Sequence, residues 1–131
     1  MNIALKNLIE NNCKYSANHT SNVLISAQSD NISITLSDTG AGMTAEEQRN
    51  IFLLFYRGTT TAQKGHGIGM ALVHKIITLH KGKIEVKSKS GHGTTFRVKL
   101  PKEKFQRKLI LLPFQIPSGG WGCWCVVLSI A

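Results

Sequence analysis

The residues of this chain best suited to chemistry stand in four places. They are the pair Asn7 and Asn11, four apart; the run Asp-Thr-Gly-Ala-Gly at 38–42; the glycine turn Gly-His-Gly-Ile-Gly at 65–69; and a second, Gly-His-Gly-Thr-Thr-Phe, at 91–96. On a helix, Asn7 and Asn11 lie one above the other. A rigid amide oxygen is a suitable hard ligand for Mg²⁺, which keeps several waters and takes few protein groups. Lys14, one turn on, is within reach of a phosphate. Asp38 can accept a hydrogen bond from an exocyclic amine, while Gly40 and Gly42 let a flat ring approach the backbone. Gly65, Gly67 and Gly69 open a helical pattern, where free N–H groups and the positive dipole end favour an anion. Each motif alone also has a plain reading as a polar helix face, a turn or a surface loop. In this order they form the equipment of a nucleotide site.

Two better-known phosphate motifs are excluded. No Gly-Lys-Ser/Thr follows Gly65–Gly69, so it is not a Walker loop, and no parallel strand precedes it, so it is not a dinucleotide fingerprint. Between Tyr56 and Gly65 runs a stretch of small residues flanked by two cations, Arg57 and Lys64. It reads either as a lid closing on phosphates or as an ordinary surface loop.

The elements that must position these groups are legible from periodicity. Residues 2–14 predict an amphipathic helix, with Leu5, Leu8, Ile9 and Cys13 on one face and Asn7, Glu10, Asn11 and Lys14 on the other. Residues 17–22 have loop composition. Residues 23–28 and 31–37 predict strands joined tightly at Ser29-Asp30, and 84–88 and 94–100 repeat the alternation. Thr44 predicts a helix cap over 45–51, with Glu47 completing a capping box. A third helix is expected over 67–80, its apolar residues wrapping most of its circumference and so well buried. The expected fold class is α+β: a two-layer α/β sandwich with a mainly antiparallel mixed sheet covered on one face by helices.

Composition narrows the partners. The 131 residues and 42% apolar content suit one small core, and 16 Lys+Arg against 7 Asp+Glu give a net charge of +9. Nucleic acid is disfavoured, because no aromatics alternate with the lysines and no zinc-finger or RNA-recognition signature appears. Lys87, Lys89, Arg97 and Lys99 read as a solvated strand face. Cys13, Cys123 and Cys125 predict no disulfide framework and fit a cytoplasmic setting. No leader is evident, and the apolar piece near the end is too short to span a bilayer, so no membrane contact by this chain is expected.

At this point the sequence resembles the catalytic ATP-binding domain of sensor histidine kinases, in the superfamily shared with type II topoisomerases, MutL and Hsp90-like ATPases. Residues 7–16 match the family's N box, 38–42 its first glycine box, 51–57 its F box, 65–69 its second glycine box and 91–96 its last. The match spans residues 2–101. It implies a Bergerat-type ATP-binding fold, incomplete at the N-terminus, and ATP with Mg²⁺ as ligands. Asn11 would hold the metal, with Asn7 and Lys14 near the phosphates. Asp38 would read the adenine amine, with Tyr15 close to the nucleotide. Arg57 and Lys64 would lie in the lid, and Gly40, Gly42, Gly65, Gly67, Ile68, Gly69 and Thr94 would line the nucleotide. His66, where the family often has threonine, either bonds a phosphate or faces solvent.

The resemblance also bears on the reaction. Related ATPases carry a glutamate where Asn7 stands, and an asparagine cannot act as a general base. Phosphoryl transfer to a protein histidine is therefore favoured over hydrolysis, although Glu10 is a nearby carboxylate. The implied partners are a histidine-bearing dimerisation domain and a response regulator. None of His19, His66, His74, His80 and His92 has the flanking pattern of the family's phosphoacceptor, so the acceptor is expected on another polypeptide. A non-catalytic nucleotide-binding module, or an inactive fragment, is the alternative. Leu53 and Leu54 replace a polar pair of the F box, Lys81 replaces a common glycine, and Asn12 replaces a usual alanine, crowding or polarising the back of the first helix. Residues 102–131, basic and then apolar, carry no assigned function; they are expected either as a reading-frame artefact or truncated gene product, or as cover for the core edge that the missing N-terminal strands would leave bare.

Overall fold

The computed structural model describes residues 2–57, 67–102 and the backbone of 124–130. Lys64, Gly65 and His66 lie outside the described residues. The order is α1 (Asn2–Tyr15), β1 (Thr20–Ala27), β2 (Asn31–Ser37), α2 (Ala45–Asn50), α3 (Gly69–Leu79), β3 (Lys83–Ser88), β4 (Thr94–Pro101) and β5 (Trp124–Ile130). The strands form one sheet in the order β3-β4-β2-β1-β5. All neighbours are antiparallel except β5, which runs parallel to β1.

Alternation in the strands builds the core. Val23 stands opposite Leu36, Leu36 opposite Phe96, and Phe96 opposite Val86, giving one apolar row across four strands. Ile25, Ile34, Val98 and Ile84 make the next. On this face lie Ala4, Leu5, Leu8, Ile9 and Cys13 of α1 and Val73 and Ile77 of α3, all buried. At roughly 25 cal/mol per Å², such burial is the main force joining the layers. Lys87, Arg97 and Lys99 project from the opposite face and are exposed, as a sheet wet on one side requires.

Three expectations are corrected. α3 is not buried around its circumference: Leu72 is 39% and Leu79 66% exposed, because a two-layer sandwich covers a helix on one side only. β1 begins at Thr20, inside the stretch read as loop. Its polar start is carried by pairing, with Thr20, Ser21 and Asn22 opposite Trp124, Cys125 and Val126. Cys13 is disulfide-bonded, where the sequence predicts no disulfide framework.

Residues 124–130, read as lacking a function, supply the strand that borders β1. An edge strand left unpaired is a template for aggregation, so this pairing covers one of the two edges that the other four strands present.

Candidate functional site

The site is assembled where the C-terminal half of α1 meets the end of β2. Asp38 follows the last residue of β2, and three backbone contacts fix it. Its N–H donates to the Thr94 carbonyl (2.9 Å), and its Oδ1 accepts from the N–H groups of Gly40 (2.8 Å) and Thr94 (3.2 Å). The carboxyl is half-buried, and desolvation raises its pKa above the ordinary 3.8, opposed by those two amides.

Two glycines make this arrangement possible. A Cβ on Gly40 would come within 1.8 Å of the Tyr15 carbonyl oxygen, so the loop lies directly on the end of α1. At Gly93, φ is +82° and a Cβ would meet the Asp38 carbonyl oxygen at 2.1 Å. Ser88 supports the same loops: its Oγ accepts from the Met43 N–H (2.8 Å), and it pairs with Gly93 O (2.9 Å) and Thr94 Oγ1 (2.8 Å). Gln48 of α2 holds the Ser88 backbone through both its amide atoms (2.8 and 3.0 Å), and the Thr44–Glu47 capping box fixes α2 in turn.

The face of α1 opposite the core carries the other candidates. Asn7, Asn11 and Lys14 are half-exposed. Lys14 Nζ sits 5.3 Å from the Tyr15 ring centroid, a cation–π contact at the mouth of the site. Glu10 is exposed and paired with Lys6 at 3.7 Å, both 62% accessible. That ion pair turns it toward solvent and makes it the less suitable of the α1 candidates for work on a bound ligand.

α3 begins at Gly69, two residues after the expected start, with Ile68 as its N-cap and no side-chain cap. The first N–H groups of a helix have no partner within it, which suits an anion. Gly67 (φ +67°) lies against Phe55, whose N–H donates to the Gly67 carbonyl (2.8 Å). The F-box turn and the second glycine box are therefore stitched together at the two ends of the segment 58–66. Arg57 is exposed.

Sequence reasoning missed the depth of the packing around Asp38. Asn12, read only as a departure, is 1% exposed, pairs with Ser21 Oγ (2.7 Å) and has its other amide atom against the Asp38 carboxylate. Its signal was a polar residue on the apolar face of a helix. Ser21, fully buried, and Ser88 left no comparable trace.

Residues 1–104 match the family model described as histidine kinase-, DNA gyrase B-, and HSP90-like ATPase. The chain belongs to this family. The chain is 39% identical over 103 residues to the heme sensor protein HssS of Staphylococcus saprophyticus, covering 76% of this chain and 22% of that protein. It is 40% identical over 103 residues to the sensor-like histidine kinase SenX3 of Mycobacterium tuberculosis, covering 75% and 25%. It therefore spans about a quarter of the length of these relatives. The fold is that of the mycobacterial sensor histidine kinase MprB, with TM-score 0.66 over 76% of this chain and 70% of that one, at 23% identity. No helix among the described residues is long and apolar enough to cross a membrane.

Proposed function

We propose that this chain is the ATP-binding catalytic part of a two-component sensor histidine kinase, acting in the cytoplasm. It transfers the γ-phosphoryl of Mg·ATP to a histidine of a dimerisation domain, from which a response regulator is served. The observation that carries this reading is the Asp38 carboxylate, braced by two backbone amides at the foot of an asparagine-bearing helix. Such an acceptor suits the amine of adenine. The tight Gly40 approach to Tyr15 leaves the backbone beside it free of side chains.

The donor set fits Mg²⁺. Among the described residues no three His, Cys, Asp or Glu side chains converge, and Asn11 offers a half-exposed amide oxygen to a metal that retains water and phosphate ligands. When bound, Mg²⁺ supplies charge neutralisation on the phosphates. Asn7 and Lys14 orient phosphate oxygens along the same face, the amides opening α3 at Ile68 and Gly69 receive the anion, and Arg57 and Lys64 add positive charge. Asn7 cannot deprotonate water, which supports transfer over hydrolysis.

Calorimetric titration with Mg·ATP, followed by incubation with a separately supplied dimerisation domain and labelled ATP, tests both halves. Saturable binding and label on the domain's histidine are expected. Binding without transfer to any such domain would favour the non-catalytic module.

A further inference from the structure

Asn12 is the one amide side chain on the buried face of α1, and the nucleotide reading gives it no role. The Ser21 hydroxyl pairs with either amide atom at 2.7 Å, so the ionised Asp38 carboxylate, which only accepts, decides the orientation of Asn12. With its NH₂ toward Asp38 Oδ2 (2.5 Å), its oxygen accepts from Ser21 Oγ (2.7 Å) and from the Ser37 N–H (3.3 Å). Turned over, it would set its oxygen against the carboxylate and leave acceptor facing acceptor. Ser21, at 0% exposure, holds the amide from the sheet side.

The acceptor capacity of Asp38 can then be counted. A carboxylate offers about four lone-pair positions, two on each oxygen. The Gly40 and Thr94 N–H groups occupy those of Oδ1, and Asn12 takes one on Oδ2. A single position on Oδ2 remains for a ligand. We infer that Asn12 is a positioning residue for base recognition: by filling one lone pair of Asp38 Oδ2 it aims the other, and so restricts the pocket to purines that carry a 6-amino group. This rests on the nucleotide reading above and deepens it.

Without Asn12 the carboxylate is held at Oδ1 alone, so Oδ2 is less well aimed and takes water or a ligand donor from a wider range of directions. With Asn12, the remaining acceptor meets an amine with a bond and a 6-oxo group with repulsion, a form of discrimination that is costly to the wrong ligand. A donor on Oδ2 also favours the ionised carboxylate that this recognition needs, against the desolvation at Asp38.

The test is a cycle between protein and ligand. Affinities of the magnesium complexes of ATP and of purine riboside triphosphate, which lacks the 6-amino group, are measured by calorimetry on the wild-type chain, Asn12→Ala and Asn12→Ala/Ser21→Ala. Asn12→Ala is expected to weaken ATP about tenfold, the scale of one buried charge-assisted hydrogen bond, and to leave the desamino nucleotide within about twofold. The double variant removes the orphaned Ser21 hydroxyl. It is expected to recover melting temperature while keeping the flattened selectivity, which separates positioning from folding. Equal losses for both nucleotides, or unchanged ATP affinity, overturn the inference while leaving the nucleotide reading intact. A folded wild-type chain that binds neither nucleotide overturns the nucleotide reading itself, and this inference falls with it.

Discussion

The two ends of the candidate site are built in opposite ways. At the proposed base end, Asp38 is held by the Gly40 amide of its own loop, the Thr94 amide of β4 and Asn12 on the buried face of α1. At the phosphate end, Asn7, Asn11 and Lys14 stand half-exposed on one helix face, and α3 opens without a side-chain cap. A rigid, partly dry end supplies selectivity, because its polar groups have no alternative partner when the wrong ligand enters. An open, polar end suits a ligand that brings its own charge, metal and water.

This contrast is broken most severely at Gly93. Gly93→Ala should destabilise the chain by about 3 kcal/mol or more, since the Cβ would meet the Asp38 carbonyl oxygen at 2.1 Å with φ at +82°. Urea denaturation reads it directly; a midpoint within error of wild type would show that the base end is less tightly built than described.

Next in size is Asp38→Asn, expected to weaken Mg·ATP about 10- to 100-fold, the worth of a hydrogen bond to a charged group. The pH dependence sharpens the point, because two trends should oppose one another. Asp38 has a raised pKa in the fold, so its contribution to stability is present in full below the unfolded value of 3.8 and is lost as pH rises through the folded value. Nucleotide binding needs the ionised form and so weakens as pH falls through that same raised value. In Asp38→Asn both trends should flatten, as thermal melts and calorimetry across the acidic range would show.

At the phosphate end, Asn11→Ala should leave stability within about 0.5 kcal/mol, as for a surface substitution. It should abolish the gain in ATP affinity on adding Mg²⁺; a retained metal effect would remove Asn11 from the metal's ligands. The smallest effect on binding is expected at Thr44→Ala, which costs about 1 kcal/mol of stability through loss of the capping box. Through Gln48 and Ser88 it should loosen the base end before the phosphate end, visible as earlier amide exchange at Gly93 and Thr94 than at Asn7.

Local signals were legible in the sequence where local physics decides. Alternation from Asn31 to Ser37, the Thr44–Glu47 box and the apolar stripe of α1 each depend on neighbours within a few residues, and each stands where periodicity put it. Three features depend on distant partners and were not legible. Thr20–Asn22 look like a loop until β5 pairs with them. Leu72 and Leu79 look buried until the number of layers is known. Asn12 looks like a defect until Asp38 is folded against it. In the site itself, the motifs named Asp38, Gly40 and Thr94, which the fold joins by hydrogen bonds, but not Ser21 or Ser88, which act only through tertiary contacts.

The most direct test of this account is calorimetric titration of Mg·ATP into the wild-type chain and into Asp38→Asn, with melting temperatures recorded alongside. The account predicts saturable binding to a single site on the wild type, and at least about tenfold weaker binding by a variant that still unfolds cooperatively. Equal affinity in the two proteins, or no saturable binding by a wild-type chain that unfolds cooperatively, would contradict it.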